Sequence, residues 1–159
     1  MQKITNCLWF DNEAEQAVHF YTSLFKDSKI KTTARYDEEA AKTAGRPKGS
    51  VMTITFQLYG QDFMALNGGP VFKFSPAISL MVNCETQEEI DHLWTKLSEG
   101  GMTQQCGWVQ DQYGISWQIV PAILGDLMKD PAKSANVMKA LLQMTKLDIK
   151  TLKEAYEQQ

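Results

Sequence analysis

The chain has 159 residues, 43% of them apolar, and a net charge of -3 with both signs interspersed. That length and apolar content suit one domain with a real core and exclude a disordered chain, and with no dense basic stretch nucleic acid is not an expected partner. No apolar run is long enough to span a membrane, Met1-Gln-Lys-Ile-Thr5 lacks a signal peptide's apolar core and cleavage site, and Cys7, Cys84 and Cys106 form no CxxC pair, so they read as reduced thiols of a cytoplasmic protein.

In chain order, Ile4 to Phe10 reads as a strand, and Asp11-Asn12 is suited to cap a helix over residues 13–25. Ala17, Phe20, Tyr21 and Leu24 give that helix an apolar stripe. A strand at 29–36 leads into the polar stretch Asp37–Ser50, read as a long loop with a helical turn over Glu38–Thr43. Val51–Leu58 and Asp62–Leu66 form a hairpin about Tyr59-Gly60. Asn67-Gly-Gly-Pro70 then breaks the chain and reads as a hinge.

The pattern now repeats. His19-Phe-Tyr-Thr-Ser-Leu-Phe25 is echoed by His92-Leu-Trp-Thr-Lys-Leu-Ser98, and Tyr59-Gly60 by Tyr113-Gly114. The second copy begins with a strand at Ala77–Val82. Its helix carries Ile90, Leu93, Trp94 and Leu97 on one face, with Thr86 and Glu89 as a capping box. Strands at 103–110 and 115–120 follow, turning through Asp111–Gly114, and Pro121 stops the last one. Each copy is β-α-β-β-β. Module one spans about 1–68 and module two about 75–121. A tail over 122–159 is helical in three pieces, with faces at Leu124, Leu127 and Met128, at Val137, Met138, Leu141 and Leu142, and at Ile149, Leu152, Ala155 and Tyr156. Such a tail covers a sheet edge or packs on a partner chain. The fold class is α+β, a single domain whose two modules curve into an incomplete barrel with helices outside and a cleft inside.

Asn6-Cys-Leu-Trp-Phe-Asp-Asn12, Phe20-Tyr21, Leu66-Asn-Gly-Gly-Pro70, the block Cys106–Pro121 and the ending Leu142–Ala155 together resemble the PhnB-like branch of the glyoxalase/bleomycin-resistance/dioxygenase (vicinal oxygen chelate) superfamily. That branch is often labelled a 3-demethylubiquinone-9 3-methyltransferase domain. The chain has no glycine-rich loop after its first strand to hold a methyl donor. The resemblance implies the paired-module fold, a homodimer and, in metal-dependent relatives, a cation held by His, Glu or Gln on the first and last strands of each module.

Strand alternation points Ile4, Leu8 and Phe10, and Ile78, Leu80 and Val82, toward the helices. Thr5, Cys7, Trp9, Ala77, Ser79, Met81 and Asn83 then face the cleft. The four ligand positions implied by the resemblance fall on Thr5, Met64, Ala77 and Gln118, with Asn6 replacing Thr5 if the register slips by one. Only Gln118 is a plausible ligand among them, and His19 and His92 lie on helices away from the cleft, so neither a metal nor another cofactor is expected.

The expected ligand is a small organic molecule, and the candidate lining is Cys7, Trp9, Met64, Ser79, Met81, Cys106, Trp108 and Gln118. Trp9 and Trp108 read equally well as pocket walls or as core. Cys7 and Cys106 read as nucleophiles only if something activates them, and otherwise as small buried hydrophobes. Asp111 reads as a turn-stabilising residue. Arg35, Lys42, Arg46 and Lys48, in or near the 37–50 stretch, belong either to a lid that supplies cations or to a solvated connection. Three functions follow: a metal-free binding protein, an enzyme on the same cleft of isomerase, lyase or dioxygenase type, or an interaction protein whose cleft is closed.

Overall fold

A computed structural model describes residues 2–158. Between Phe74 and Ser75 the chain divides into two compact units. The first contains β1 (Asn6–Phe10), α1 (Ala14–Leu24), β2 (Lys29–Arg35), α2 (Glu38–Ala44), β3 (Val51–Leu58) and β4 (Gln61–Asn67). Its four strands form one open sheet in the order β1-β4-β3-β2, with β1 parallel to β4 and the other pairs antiparallel. Tyr59 and Gly60, at φ 48° and 74°, make the left-handed two-residue turn that the twist of a hairpin favours.

The second unit contains β5 (Ser79–Cys84), α3 (Gln87–Ser98), β6 (Met102–Thr103), β7 (Trp108–Gln110), β8 (Ser116–Pro121), α4 (Leu124–Leu127), α5 (Pro131–Leu141) and α6 (Ile149–Glu157). Its sheet has the same order, β5-β8-β7-β6, and the same parallel first pair. Neither sheet closes on itself.

Each sheet buries one face under its helix. Phe56, Phe63, Ala65 and Phe10 form that side of module one, together with Ala14, Ala17, Val18 and Tyr21 of α1. In module two Val82, Cys84, Val109, Trp117 and Ile119 pair with Ile90, Leu93 and Leu97. Trp94, expected in the core, is half-buried at the stripe's edge. Ile4 and Ile78 were assigned to the helix-facing sides, but both precede their strands and are exposed. The strands begin later than their apolar residues suggest.

The two helices are capped differently. Asp11-Asn12 does not cap α1; the carboxamide of Asn67, at the end of β4, accepts the Ala14 N–H at 2.9 Å from across the sheet. Asn67 also donates to the Val51 carbonyl, while its own carbonyl takes the Tyr36 hydroxyl at 2.7 Å. A residue read as part of a hinge is therefore a buried strut of module one. In α3 Thr86 caps as expected, and the Glu89 carboxylate returns to the Glu85 N–H.

Between Asp37 and Ser50 lies α2, closed at its start by the Asp37 carboxylate and at its end by left-handed Gly45. The strand expected over 103–110 is split, because Cys106 and Gly107 take φ values of 60° and 80°. Their N–H groups donate to Met144 and Thr145 of the tail. The tail thus docks on module two's own sheet. Leu127, Val137, Leu147 and Leu152 are buried together, each contributing roughly 1.5–3 kcal/mol, which holds the tail on module two. Met138 and Leu142, assigned to that face, are exposed, and Leu147, absent from the predicted faces, takes its centre.

Candidate functional site

Because each helix covers one side of its sheet, the other side is where a ligand has access. The strand registers sort the candidates onto these open faces. In module one Cys7 pairs with Met64, and Met64 with Thr55, so Cys7, Met64 and Trp9 share a face with Thr53, Thr55, Gln57 and Asp62. In module two Met81 pairs with Gln118, Gln118 with Trp108, and Ser79 with Ser116. Ser79, Met81, Trp108 and Gln118 therefore lie side by side, as alternation predicts. Cys106 does not join them: it sits in the left-handed turn before β7, fixed by the Met144 carbonyl.

Module one's open face satisfies itself. The Thr32 and Thr55 hydroxyls are 2.6 Å apart. Gln57 and Lys31 both donate to the Asp62 carboxylate and hold it below the usual carboxylate range. The Trp9 indole N–H donates to the Gly69 carbonyl at 2.9 Å, and Phe72 packs edge-on against its ring with centroids 4.9 Å apart. A Cβ on Gly68 would run into the Trp9 indole, so that position admits only glycine without rearrangement. Trp9 is thereby walled by its own chain.

Module two's face is less complete. Gln118 donates to the Ser79 hydroxyl at 2.9 Å, and its carbonyl oxygen has no partner among the described residues. The Trp108 indole N–H, on the neighbouring strand, has none there either. Ser116, two residues before Gln118 on the same face, is 2% exposed and its hydroxyl is unpartnered among the described residues. Met81, 55% exposed, supplies an apolar surface beside them. Ser116 was missed by following only the ligand positions implied by the resemblance. Its place two residues before Gln118 was the available signal.

Burial weakens two of the thiols as nucleophiles. Cys7 is exposed as a residue, yet enough structure surrounds its sulfur that desolvation pushes the thiol up. Cys84 is buried, and desolvation plus Glu89 and Glu85 push it up to about 12. Cys7, expected to be a small buried hydrophobe if unreactive, is corrected to an exposed thiol. His19 and His92 are both exposed on their helices.

The four implied metal positions hold a hydroxyl, a thioether, a methyl group and a carboxamide. Thr5 and Ala77 lie before their strands and are exposed. Among the described residues no three His, Cys, Asp or Glu side chains group together. This donor set does not fit a zinc, iron or nickel centre. Asp111 is structural: its carboxylate accepts from the Tyr113 and Ile115 N–H groups and from the Trp117 indole.

A family model described as 3-demethylubiquinone-9 3-methyltransferase matches residues 2–120. The PhnB protein from Bacillus cereus is 42% identical, covering 76% of this chain and 100% of its own, with a TM-score of 0.69. Two more distant structures share the fold. One is protein PA1353 from Pseudomonas aeruginosa, 18% identical over 74% of this chain and 95% of its own, TM-score 0.58. The other is the fosfomycin resistance protein FosX from Listeria monocytogenes, 12% identical over 81% and 98%, TM-score 0.53. No curated protein matches the chain. The chain belongs to the 3-demethylubiquinone-9 3-methyltransferase family, the family of the Bacillus cereus PhnB protein. Its α+β fold is the one shared by PA1353 and FosX.

Proposed function

We propose that this protein binds a small organic molecule on the open face of module two, without a catalytic metal. The observation that carries this is the hydrogen-bonding capacity grouped there, the Gln118 carboxamide oxygen and the Trp108 indole N–H, beside the apolar flank of Met81. Both groups reach solvent and have no protein partner among the described residues, so together they offer a ligand one acceptor and one donor. An aromatic or aliphatic body with one or two polar substituents matches that lining. The family name does not extend to methyl transfer on these residues, because the β1–α1 connection, Asp11-Asn-Glu13, has no glycine and the Ala14 N–H is already taken by Asn67. An enzyme of isomerase, lyase or dioxygenase type needs an activated group, and the raised thiol of Cys7 opposes that role.

A second copy of the chain is the expected partner. Exposed Val71, Phe72 and Ile78 support pairing, and sedimentation velocity tests it. A cytoplasmic location belongs to the same reading, consistent with free thiols; among the described residues no helix is long and apolar enough to cross a membrane.

The test is ligand-observed NMR with a library of aromatic and heteroaromatic fragments, run on the wild type, Gln118→Ala and Trp108→Leu. Fragments that bind the wild type and lose their signal in both variants, with melting temperatures preserved, are the expected result. Hits that persist undiminished in both variants, or an absence of hits, defeat the assignment.

A further inference from the structure

We propose that module one carries a second binding site, specific for a small oxyanion and distinct from the open face of its own sheet. A cavity of about 310 Å³ lies where α1 begins, β2 ends and β3 begins, lined by Glu15, Gln16, Arg35, Arg46, Ser50 and Asn67 among others. Its volume lies at the small end of ligand pockets, suited to a compact metabolite rather than a nucleotide cofactor.

Two guanidinium groups from the 35–50 region converge on it. Arg46 is held in place by Asp11, donating one nitrogen to the Asp11 carbonyl and lying 3.5 Å from its carboxylate. Its side chain is only 17% exposed, and among the described residues its bonds run through Nη2 alone. A guanidinium held in this way, with its other nitrogens open to solvent, is a fixed fork for a carboxylate or phosphoryl group, the two oxyanions whose geometry it matches. Arg35 is steadied by its bond to the Gly49 carbonyl and lies 3.6 Å from Glu15. Glu15 thus occupies one guanidinium with a carboxylate of the protein's own, as an internal competitor at the cavity mouth. The remaining cations of the segment do not take part: Lys48 pairs with Glu38, and Lys42 is exposed on α2. The stretch therefore supplies cations to a built pocket, with Arg46 as anchor and Glu15 as gate.

The experiment follows backbone amides of Gln16, Arg46 and Val51 in 15N spectra while inorganic phosphate or acetate is added at constant ionic strength. Saturable shifts with one of these anions identify the class, phosphoryl or carboxylate. Arg46→Gln should weaken that binding about tenfold or more, because it removes a charge-assisted contact. Glu15→Gln, on an exposed helix surface and harmless to folding, should tighten it about two- to fivefold, the worth of an exposed ion pair. Shifts linear in concentration for both anions, unchanged affinity in Arg46→Gln, or no tightening in Glu15→Gln each overturn the proposal.

Discussion

Replacing Asp111 by Asn keeps the shape of a buried side chain and changes one acceptor into a donor. Asp111 is 3% exposed, and both of its oxygens are used. Oδ1 accepts from Tyr113 N at 2.9 Å and Ile115 N at 3.0 Å, and Oδ2 accepts from Trp117 Nε1 at 2.8 Å. In Asp111→Asn one oxygen becomes NH₂. If the amide nitrogen faces the indole, two donors meet at hydrogen-bond distance; if it faces the turn, the Tyr113 and Ile115 N–H groups lose their acceptor. Either orientation loses at least one bond to a charged group, worth about 1.5–3 kcal/mol, and leaves a buried donor unpaired at a further cost of about 1–3 kcal/mol. The expected destabilisation is about 2.5–6 kcal/mol by urea unfolding. Trp117→Phe removes the facing donor, so the two changes should be coupled: the double variant should be more stable than the sum of the singles predicts by about 1.5–3 kcal/mol. Additivity within about 0.5 kcal/mol refutes the assignment of Asp111 and Trp117 as a bonded pair.

Two further outcomes are expected. Asn67→Ala removes the cap of α1 and leaves the Ala14 N–H and the Val51 carbonyl unpaired, so it should lower stability by about 2–4 kcal/mol in the same assay. The tail should loosen in acid. The Thr151 hydroxyl and N–H hold the Asp148 carboxyl below the usual carboxylate range, and Lys146 and Gln87 do the same for Asp91. Because both folded values are depressed, their stabilisation is complete above the unfolded value near about 3.9 and is lost as pH falls through the folded ones. Hydrogen exchange in α6 should therefore rise below about pH 4; a rise already between about pH 5 and 6 would contradict this linkage.

Period and turn chemistry made the module plan readable. The stripes Ile90-Leu93-Leu97 and Ala17-Tyr21, and the paired Tyr-Gly turns, depend on local spacing, and local spacing is visible in a sequence. The same alternation put Ser79 and Met81 on one face and the Tyr-Gly register added Gln118, while Trp108 stayed open between wall and core until the strand pairing set it beside Gln118. What could not be read depends on contacts between distant residues. Asn67 caps a helix that begins at Ala14, and no local signal marks that pairing. Cys106 looked like a strand residue because the residues around it suit a strand; the tail carbonyls of Met144 and Thr145 take its N–H and that of Gly107 and help fix the turn. Arg46 looked like a loop charge because its partner, Asp11, is far away in the chain.

The caps also show how the two copies diverged. By the Tyr-Gly register, Asn67 of β4 corresponds to Pro121 of β8. A proline has no side-chain acceptor and no N–H, so the strand end that serves α1 in module one cannot serve α3 in module two. There Thr86 supplies the acceptor locally, which frees the end of β8 to carry proline and lead into the tail. The same register aligns Met64 with Gln118, and the strand pairings align Thr55 with Trp108 and Cys7 with Met81. Module one filled its open face with mutually satisfied threonine, glutamine and aspartate groups, while module two retained an indole, a carboxamide and a hydroxyl with bonds to spare. An asymmetry of this kind sets the two open faces apart: that of module one holds its own chain, Trp9 included, in a fixed shape, and that of module two is the one on which ligand binding is proposed.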